Sequence, residues 1–232
     1  ELAGCGVGFK LLQANPQAHD ITIEEVFEYL HLVSVSIASD LVSITGENRI
    51  LAYYGLKKLN DHPSKGLLSI IKLSGLENHV ITIDDVVFKI GPRINAAGRM
   101  EQGRTAVDLL VCRNDEDARS IGAAINEHND ERKSIDREIT LEAVNAVRAS
   151  VDYMQRKSTI VFNPDWHKGV VGIVASRLVE AFYKPTIVLT KSNGFVTGSA
   201  RSIPGFDLYD AVEHALNIWR VSAVICMRPV LR

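Results

Sequence analysis

A long stretch without proline constrains the fold of this chain more than any other feature. Residues 115–155 contain one glycine and no proline. Apolar residues recur there at near-helical spacing, from Ala118 through Ile125 and Ile139 to Val147, and charged residues fill the opposite face. Because this spacing collects apolar side chains on one side of a helix, it predicts one long helix, or two in tandem. Such a helix is a natural connector between two domains.

The sequence changes its pattern across this connector. Short helices are indicated before it, and a strand–helix–strand order is indicated after Ser158. Such an order predicts a small sheet with a covering helix. The strands are expected over Thr159–Phe162, Thr186–Thr190 and Phe195–Ala200, and the helices over Gly169–Phe182 and Leu208–Ala215. We therefore predict an α/β chain with domain boundaries at 1–112, 113–155 and 156–232.

Composition narrows the class of protein. The 232 residues are 46% hydrophobic and 23% charged, which is typical of a globular chain with room for two domains. No apolar run approaches the roughly 18 residues of a membrane span, so we expect no membrane association. The first residue is Glu1, with no leader pattern after it, which favours a segment of a longer protein.

Cysteine content and net charge add two expectations. Cys5, Cys112 and Cys226 are far apart, which argues against a disulfide framework or a zinc knuckle and favours a reducing cytoplasm. The formal net charge is −2 and the sequence pI is about 6.4, so an anion-binding site has to be local.

One acidic residue follows an apolar run. Leu32–Ile37 is apolar and β-branched, which predicts a buried strand, and Asp40 comes soon after it. Thr45 then opens a helix. Because ligands of α/β sheets collect at the carboxyl ends of strands, Asp40 is a candidate oxygen ligand for a hard cation. A helix cap or a turn carboxylate is the alternative.

Two arginines lie among small residues in the first half. Arg93 and Arg99 are framed by Gly91, Pro92 and Asn95 as well as two alanines. Guanidinium groups without bulky neighbours are suited to a bidentate hold on phosphate. The alternative is a tight turn whose arginines pair with surface acids.

Two segments of the second half also place cations beside small residues. Asp165–Gly172 joins a predicted strand to a helix, and Lys168 with the glycines forms an anion seat at the helix N-terminus. His167 alone is more typical of a packed or capping histidine. Gly198–Ser202 adds Arg201 and two hydroxyls at a strand end, where a plain β-turn is the alternative. Together these groups favour an enzyme that acts on phosphodiesters.

At this point the motifs resemble a known family. In chain order they are similar to those of the RecJ-type single-stranded-DNA-specific exonucleases of the DHH phosphoesterase superfamily. The resemblance runs from Glu1 to about Glu213. The segments that carry it are Ser39–Asp40, Thr45–Arg49, Gly91–Arg99, Trp166–Arg177 and Gly198–Ser202.

The resemblance implies an architecture and an activity. The architecture is the C-terminal part of a DHH catalytic domain over 1–112, a connecting helix over 113–155 and a DHHA1 domain over 156–232. The activity is 5′-to-3′ hydrolysis of single-stranded DNA with Mn²⁺ or Mg²⁺, in DNA repair and recombination. Two metals would activate a water and stabilise the leaving oxygen.

The resemblance also implies roles for individual residues. Asp40 matches the last metal-binding aspartate of the DHH domain and is the expected catalytic and metal-binding residue. Ser199, Arg201 and Ser202 match a pocket for the 5′ end of the strand. The remaining expected nucleic-acid-binding residues are Arg93, Asn95, Arg99, His167, Lys168 and Arg177.

The sequence departs from the family pattern in its metal ligands. The earlier aspartate motifs and the Asp-His-His triplet of the family would precede Glu1, and none of the seven histidines has a histidine neighbour. A single carboxylate, Asp40, cannot hold two divalent ions. We therefore expect this chain by itself to be inactive.

A second departure concerns the C-terminal residues. The family's Gly-Gly-His motif is absent, but suitable codons for Val221–Leu231, read two bases later, encode Phe-Gly-Gly-His-Met-Tyr-Ala-Ala-Gly-Leu. This predicts a shift of reading frame near Glu213, so that residues from about 214 onward were not selected for this fold. The nucleotide sequence of the gene tests the idea.

Two alternatives to the exonuclease remain at this level. One is a DHH-family phosphodiesterase that acts on short oligonucleotides or cyclic dinucleotides. The other is a non-catalytic fragment that binds single strands. The connector and the paired arginines favour the exonuclease over the first alternative. Protein partners are not indicated by the sequence.

Overall fold

The chain forms two compact units, Glu1–Asp130 and Glu131–Arg232, which we call unit 1 and unit 2. The structure is a computed structural model that describes residues 2–15, 21–40, 42–100 and 103–218, with side chains in the last helix described up to His214. The division between the units falls within the predicted connector. The domain boundaries at 112 and 155 stay predictions.

Unit 1 is helical throughout its described residues. Its helices are α1 (Gly4–Ala14), α2 (Ile23–Glu28), α3 (Leu30–Ser39), α4 (Gly46–Asp61), α5 (Lys65–Leu73), α6 (Ile83–Asp85), a π-helical segment (Val86–Ile90), α7 (Gly91–Met100), α8 (Arg104–Val111) and the first part of α9 (Asp115–Ala149).

Local sequence signals explain where several of these helices begin. Thr22 accepts a hydrogen bond from the backbone of Glu25, whose side chain accepts in return from the backbone of Thr22. This capping box, which the sequence predicts, satisfies two amide groups that the first turn leaves unpaired. Thr82 and Asp85 form a second box at the start of α6. Thr45 is the N-cap of α4, as expected.

The strand predicted over Leu32–Ile37 is wrong, because these residues lie in helix α3. The run reads Leu-Val-Ser-Val-Ser-Ile, and its alternation of apolar residues with serines has the period of a strand. In the structure Val33, Val35 and Ile37 are all buried, but in two different apolar cores of unit 1. Asp40 is therefore the C-cap of a helix, and the argument from the carboxyl end of a strand does not apply to it.

The segment around the two arginines is also helical rather than a tight turn. The π-helical segment continues directly into α7, and the backbone N–H of Gly91 donates to Val86 O, five residues earlier. A Cβ on Gly91 would lie 2.6 Å from Ser39 Oγ. Glycine therefore allows the start of α7 to approach the end of α3 closely.

Helix α9 confirms the prediction of a long continuous helix. It runs for 35 residues and contributes to both units. Ala118 and Ile125 belong to an apolar core of unit 1, whereas Ile139 and Ala143 belong to the core of unit 2. The residues of one helix thus serve two hydrophobic cores in succession, as their spacing indicates.

Unit 2 contains the predicted small sheet. Strands β1 (Thr159–Phe162), β2 (Thr186–Ser192) and β3 (Phe195–Arg201) are adjacent in that order, and helices α10 (Val171–Phe182) and α11 (Leu208–Ile218) follow β1 and β3. Strand β1 pairs with β2 in parallel, and β2 pairs with β3 antiparallel. The parallel pair requires a crossover, which α10 supplies.

Two further expectations concern the C-terminal residues and the absence of a membrane span. The reading-frame prediction for residues 214–232 falls almost entirely outside the described residues, which end at 218. Among the described helices, none is both long enough and apolar enough for a membrane crossing.

Candidate nucleic-acid interface

The most developed polar cluster lies in unit 2, where the end of β3 faces the first turn of α10. Ser199 pairs in register with buried Val188, and Arg201 pairs with buried Thr186. Because alternate residues of a strand share a face, both side chains lie on the side of the sheet that α10 covers. The sequence order Ser-Ala-Arg thus places a hydroxyl and a guanidinium next to each other.

The guanidinium of Arg201 donates hydrogen bonds to oxygen atoms of Ser176, Ser199 and Ala200. Its Nε donates to Ser176 Oγ at 3.1 Å, and its Nη1 donates to Ser199 Oγ at 3.0 Å and to Ala200 O at 2.8 Å. These hydroxyl and carbonyl oxygens are neutral, so they orient the guanidinium without cancelling its charge.

Gly172, in the first turn of α10, makes room for this cluster. A Cβ at this position would lie 3.2 Å from Ser199 Oγ and 3.3 Å from Arg201 Nη2. The first turn of an α-helix has backbone N–H groups without intrahelical partners and carries the positive end of the helix dipole. Helix α10 has no acidic residue in that turn, so the positive potential of Arg201 and of the helix end add together.

The turn before α10 fixes the imidazole of His167. Its Nδ1 accepts a hydrogen bond from the backbone N–H of Gly169 at 3.1 Å. In the neutral ring this assigns the proton to Nε2, which becomes a donor. Thr190 Oγ1 donates to Trp166 O at 2.6 Å, which ties the turn to β2. Lys168 is exposed.

Arg177, a predicted nucleic-acid-binding residue, makes an ion pair with a buried carboxylate. Its Nη2 donates to Asp136 Oδ2 of α9 at 2.7 Å. The Asp136 side chain is 3% exposed and that of Arg177 is 46% exposed. One edge of the guanidinium therefore holds α10 to α9, and the rest of it reaches the surface.

Ser202 has a local role in the turn after β3. Its hydroxyl donates to Phe206 O at 2.6 Å. The proton of this hydroxyl is thus engaged with the turn, while its oxygen can still accept.

In unit 1, the structure gives Arg93 three partners. Its Nε donates to Asn126 Oδ1 at 2.9 Å, its Nη1 to Lys89 O at 2.8 Å and its Nη2 to Leu73 O at 3.3 Å. Burial lowers the pKa of the guanidinium, because water is partly withdrawn from the cation. Arg93 therefore ties α7 to α5 and α9.

The other predicted residues of α7 lie at the surface. Asn95 and Arg99 are exposed, four residues apart, whereas Ala96 and Ala97 between them are buried. Side chains at this spacing share one helix face. Asn95 and Arg99 thus form a short polar row on unit 1.

Asp40, the predicted metal ligand, is exposed at the end of α3. Burial, and to a smaller extent the charge of Asp40, raise the pKa of the Cys5 thiol. Within the described ranges, no three side chains of His, Cys, Asp or Glu come together as a metal-binding group. The residues present do not by themselves form a two-metal centre.

Sequence reasoning placed Gly172 at the start of the helix but missed Ser176 and Asp136 as parts of these clusters. Gly172 and Ser176 are four residues apart, so the periodicity of a helix places them on one face. That spacing was the available signal for a surface that receives Arg201. Nothing in the local sequence around Asp136 indicates its pairing with a residue 41 positions later.

Comparisons with known proteins relate the chain to one family. Residues 151–220 match the model of the DHHA1 domain. The single-stranded-DNA-specific exonuclease RecJ of Bacillus subtilis is 39% identical over 220 residues, which are 94% of this chain and 27% of that protein. The protein of the same name from Escherichia coli is 32% identical over 226 residues, which cover 91% of this chain and 39% of that protein.

Solved structures give the same result. The crystal structure of RecJ in complex with Mg²⁺ from Thermus thermophilus superposes with a TM-score of 0.81 at 26% identity, over 92% of this chain and 32% of that one. A crystal structure of exonuclease RecJ bound to manganese gives a TM-score of 0.76 at 27% identity, over 90% of this chain and 51% of that one. The chain spans about a quarter to two fifths of the length of the curated relatives named here.

Proposed function

We propose, because this chain belongs to the RecJ family over the segment that it spans, that it supplies strand-binding surfaces of a single-stranded-DNA-specific exonuclease. Finer features come from the same relationship. They are 5′-to-3′ polarity, dependence on Mn²⁺ or Mg²⁺, a role in DNA repair and recombination, and a cytoplasmic location.

The observation that supports this proposal most directly is the placement of Arg201 beside the first turn of α10. Arginine presents parallel N–H donors that match two oxygens of a phosphate. A helix N-terminus adds backbone N–H groups and a positive dipole end. Gly172 keeps side-chain atoms out of the space between them. In this arrangement the terminal phosphate of a strand is the preferred ligand, since it carries the most charge.

The other predicted residues of unit 2 support the same ligand. The Nε2–H of His167 donates to a phosphate oxygen, and Ser199 orients Arg201. Lys168 contributes a mobile positive charge to the backbone of the strand. Arg177 combines a structural bond to Asp136 with an exposed edge that attracts phosphate.

In unit 1 the exposed row of Asn95 and Arg99 is the proposed contact with the sugar–phosphate backbone. Polar and basic side chains of this kind position a strand without reading its sequence. Arg93 orients α7 through its bonds to Asn126 and to two carbonyl groups. Its effect on the DNA strand is therefore mainly indirect, because it holds the helix that carries Asn95 and Arg99.

The metal requirement is assigned to the family and not to a site in the described residues. Asp40 would contribute one oxygen ligand, but two divalent ions require several. We therefore assign no hydrolytic step to the residues of this chain. As a separate polypeptide the 232 residues are expected to bind single strands and not to hydrolyse them.

Fluorescence anisotropy with the full chain tests this function. A 5′-phosphorylated oligothymidylate should bind more tightly than the same strand with a 5′-hydroxyl or than a duplex. Arg201→Ala should weaken binding to the phosphorylated strand about tenfold, since a charged hydrogen bond contributes roughly 1.5–3 kcal/mol. Arg148→Ala, at an exposed arginine of α9 in the same unit, is the matched control and should change little.

Incubation of the same strand with the chain and Mn²⁺ should release no nucleotides. Equal affinity for single strands and duplex, or an equal effect of the two arginine variants, would refute the proposed binding site. Release of nucleotides that scales with chain concentration and is lost in Asp40→Ala would refute the assignment of hydrolysis to other residues.

A further inference from the structure

Ser176 lies one helical turn after Gly172 on α10, on the side that faces Arg201. Its Oγ accepts a hydrogen bond from Arg201 Nε at 3.1 Å and donates its own proton to Gly172 O at 3.2 Å. Because the hydroxyl proton is engaged with the helix backbone, the oxygen lone pairs are directed to the arginine. The hydroxyl is thus set as an acceptor for Nε–H.

This contact differs in its consequence from the other two. Ser199 Oγ and Ala200 O both bind Nη1, at 3.0 Å and 2.8 Å. Ser176 Oγ binds a different nitrogen, Nε. With it the guanidinium is held at two of its nitrogens and not at one only.

Gly172 also affects the position of this guanidinium, because it has no side chain beside it. Arg201 Nη2 would lie 3.3 Å from a Cβ at position 172, and Ser199 Oγ would lie 3.2 Å from it. These separations are shorter than ordinary van der Waals contact, so an alanine would displace both groups by a few tenths of an ångström. Glycine leaves the arginine in its observed position without that displacement.

We infer that Ser176 and Gly172 are positioning residues, which hold the guanidinium of Arg201 in one orientation at the start of α10. This inference deepens the proposed function, on which it rests, by naming what presents the arginine to a terminal phosphate. A guanidinium that is already ordered loses less conformational freedom when it binds. The two residues therefore increase affinity through the arginine and not through side-chain contacts with the ligand.

The first measurement concerns the arginine itself, in the full chain without ligand. The Nε–H of Arg201 gives an NMR signal, identified by its loss in Arg201→Lys. In the natural chain this hydrogen should exchange slowly with water. Ser176→Ala should make it exchange rapidly, whereas Ser176→Thr, which retains the hydroxyl, should restore slow exchange. Ser134→Ala, at an exposed serine of helix α9, is the matched control.

The second measurement is the affinity for the 5′-phosphorylated oligothymidylate. Ser176→Ala should weaken binding about three- to tenfold, which is the range for loss of one hydrogen bond of ordinary strength. Ser176→Thr should bind as the natural chain does, and Gly172→Ala should weaken binding to a similar extent. The thermal unfolding midpoint should be unchanged in Ser176→Ala, which separates positioning from loss of fold.

The two measurements separate this inference from the proposed function. Unchanged exchange of the Arg201 Nε–H in Ser176→Ala would overturn the inference, whatever the affinity. If exchange responds as expected but the natural chain does not bind the oligonucleotide, the positioning stands and the proposed function is wrong. If both respond, both are supported.

Discussion

The ion pair between Asp136 and Arg177 is expected to respond unequally to the loss of its two partners. The Asp136 side chain is 3% exposed, whereas that of Arg177 is 46% exposed, and their closest atoms are 2.7 Å apart. In Arg177→Met the carboxylate remains buried without its cation. In Asp136→Leu the guanidinium can turn towards water, so the charge that is left behind is solvated.

The magnitudes follow from this difference in burial. A buried charge deprived of its partner destabilises a protein by about 3–5 kcal/mol, and Arg177→Met should lower the free energy of unfolding by that amount. Asp136→Leu should cost about 1 kcal/mol, as for an ion pair with a solvated partner. The double variant should lie within about 1 kcal/mol of the natural chain or above it, because an apolar pair avoids desolvation of both charges.

Urea unfolding followed by tryptophan fluorescence measures these differences. Trp166 is buried in the core of unit 2, so its fluorescence reports the unit that contains the ion pair, whereas Trp219 lies outside the described residues. Arg148→Met is the control for removal of an exposed arginine. If Arg177→Met costs no more than Asp136→Leu, the reasoning from burial is refuted.

Three further outcomes are expected. Gly66→Ala should destabilise unit 1 by about 2 kcal/mol, because the added Cβ would collide with the backbone carbonyl of Leu109 in α8. Gly8→Ala, where a Cβ on α1 meets open space, should stabilise unit 1 by about 0.5–1 kcal/mol. Equal urea midpoints of the two variants would contradict this reasoning. Burial lowers the pKa of His31 below its ordinary 6.5, so the contribution of the neutral imidazole to stability should be fully present above pH 6.5. This contribution should fall as the pH drops from 6.5 towards the lower pKa of the folded state. His31→Gln should abolish this pH dependence in urea midpoints measured across the range. Asp40→Asn should accelerate alkylation of the Cys5 thiol, whose pKa the Asp40 charge helps to raise, and an unchanged rate would show that the carboxylate is too far away to act.

The sequence predicted helices best where caps and a polar face accompany them. The capping box of Thr22 and the alternating charges of α9 are both local signals, and both predictions are confirmed. Leu32–Ile37 was misassigned because its valines and isoleucine alternate with Ser34 and Ser36, which is the period of a strand. Its helical state depends on being packed between two cores of unit 1, which only the tertiary structure shows.

The candidate site was predictable to the extent that its residues are close in sequence. Ser199 and Arg201 were found together because they are two positions apart on one strand. Ser176 could not be assigned to them, because its bond to Arg201 joins residues 25 positions apart. The hydrogen bond between Arg93 and Asn126 could not be predicted for the same reason, since the two residues are 33 positions apart.

The π-helical segment Val86–Ile90 determines the direction in which the side chains of α7 point. Its wide turn takes up one residue more than an α-helix would and is followed by Pro92, which has no N–H to donate. If the same residues were wound as a regular α-helix, the extra residue would rotate the rest of α7 by about 100°. Arg93 would then leave its partners on the neighbouring helices, Asn126 and Leu73, and the exposed polar row would face elsewhere. The wide turn is therefore what brings these side chains to the positions that they occupy.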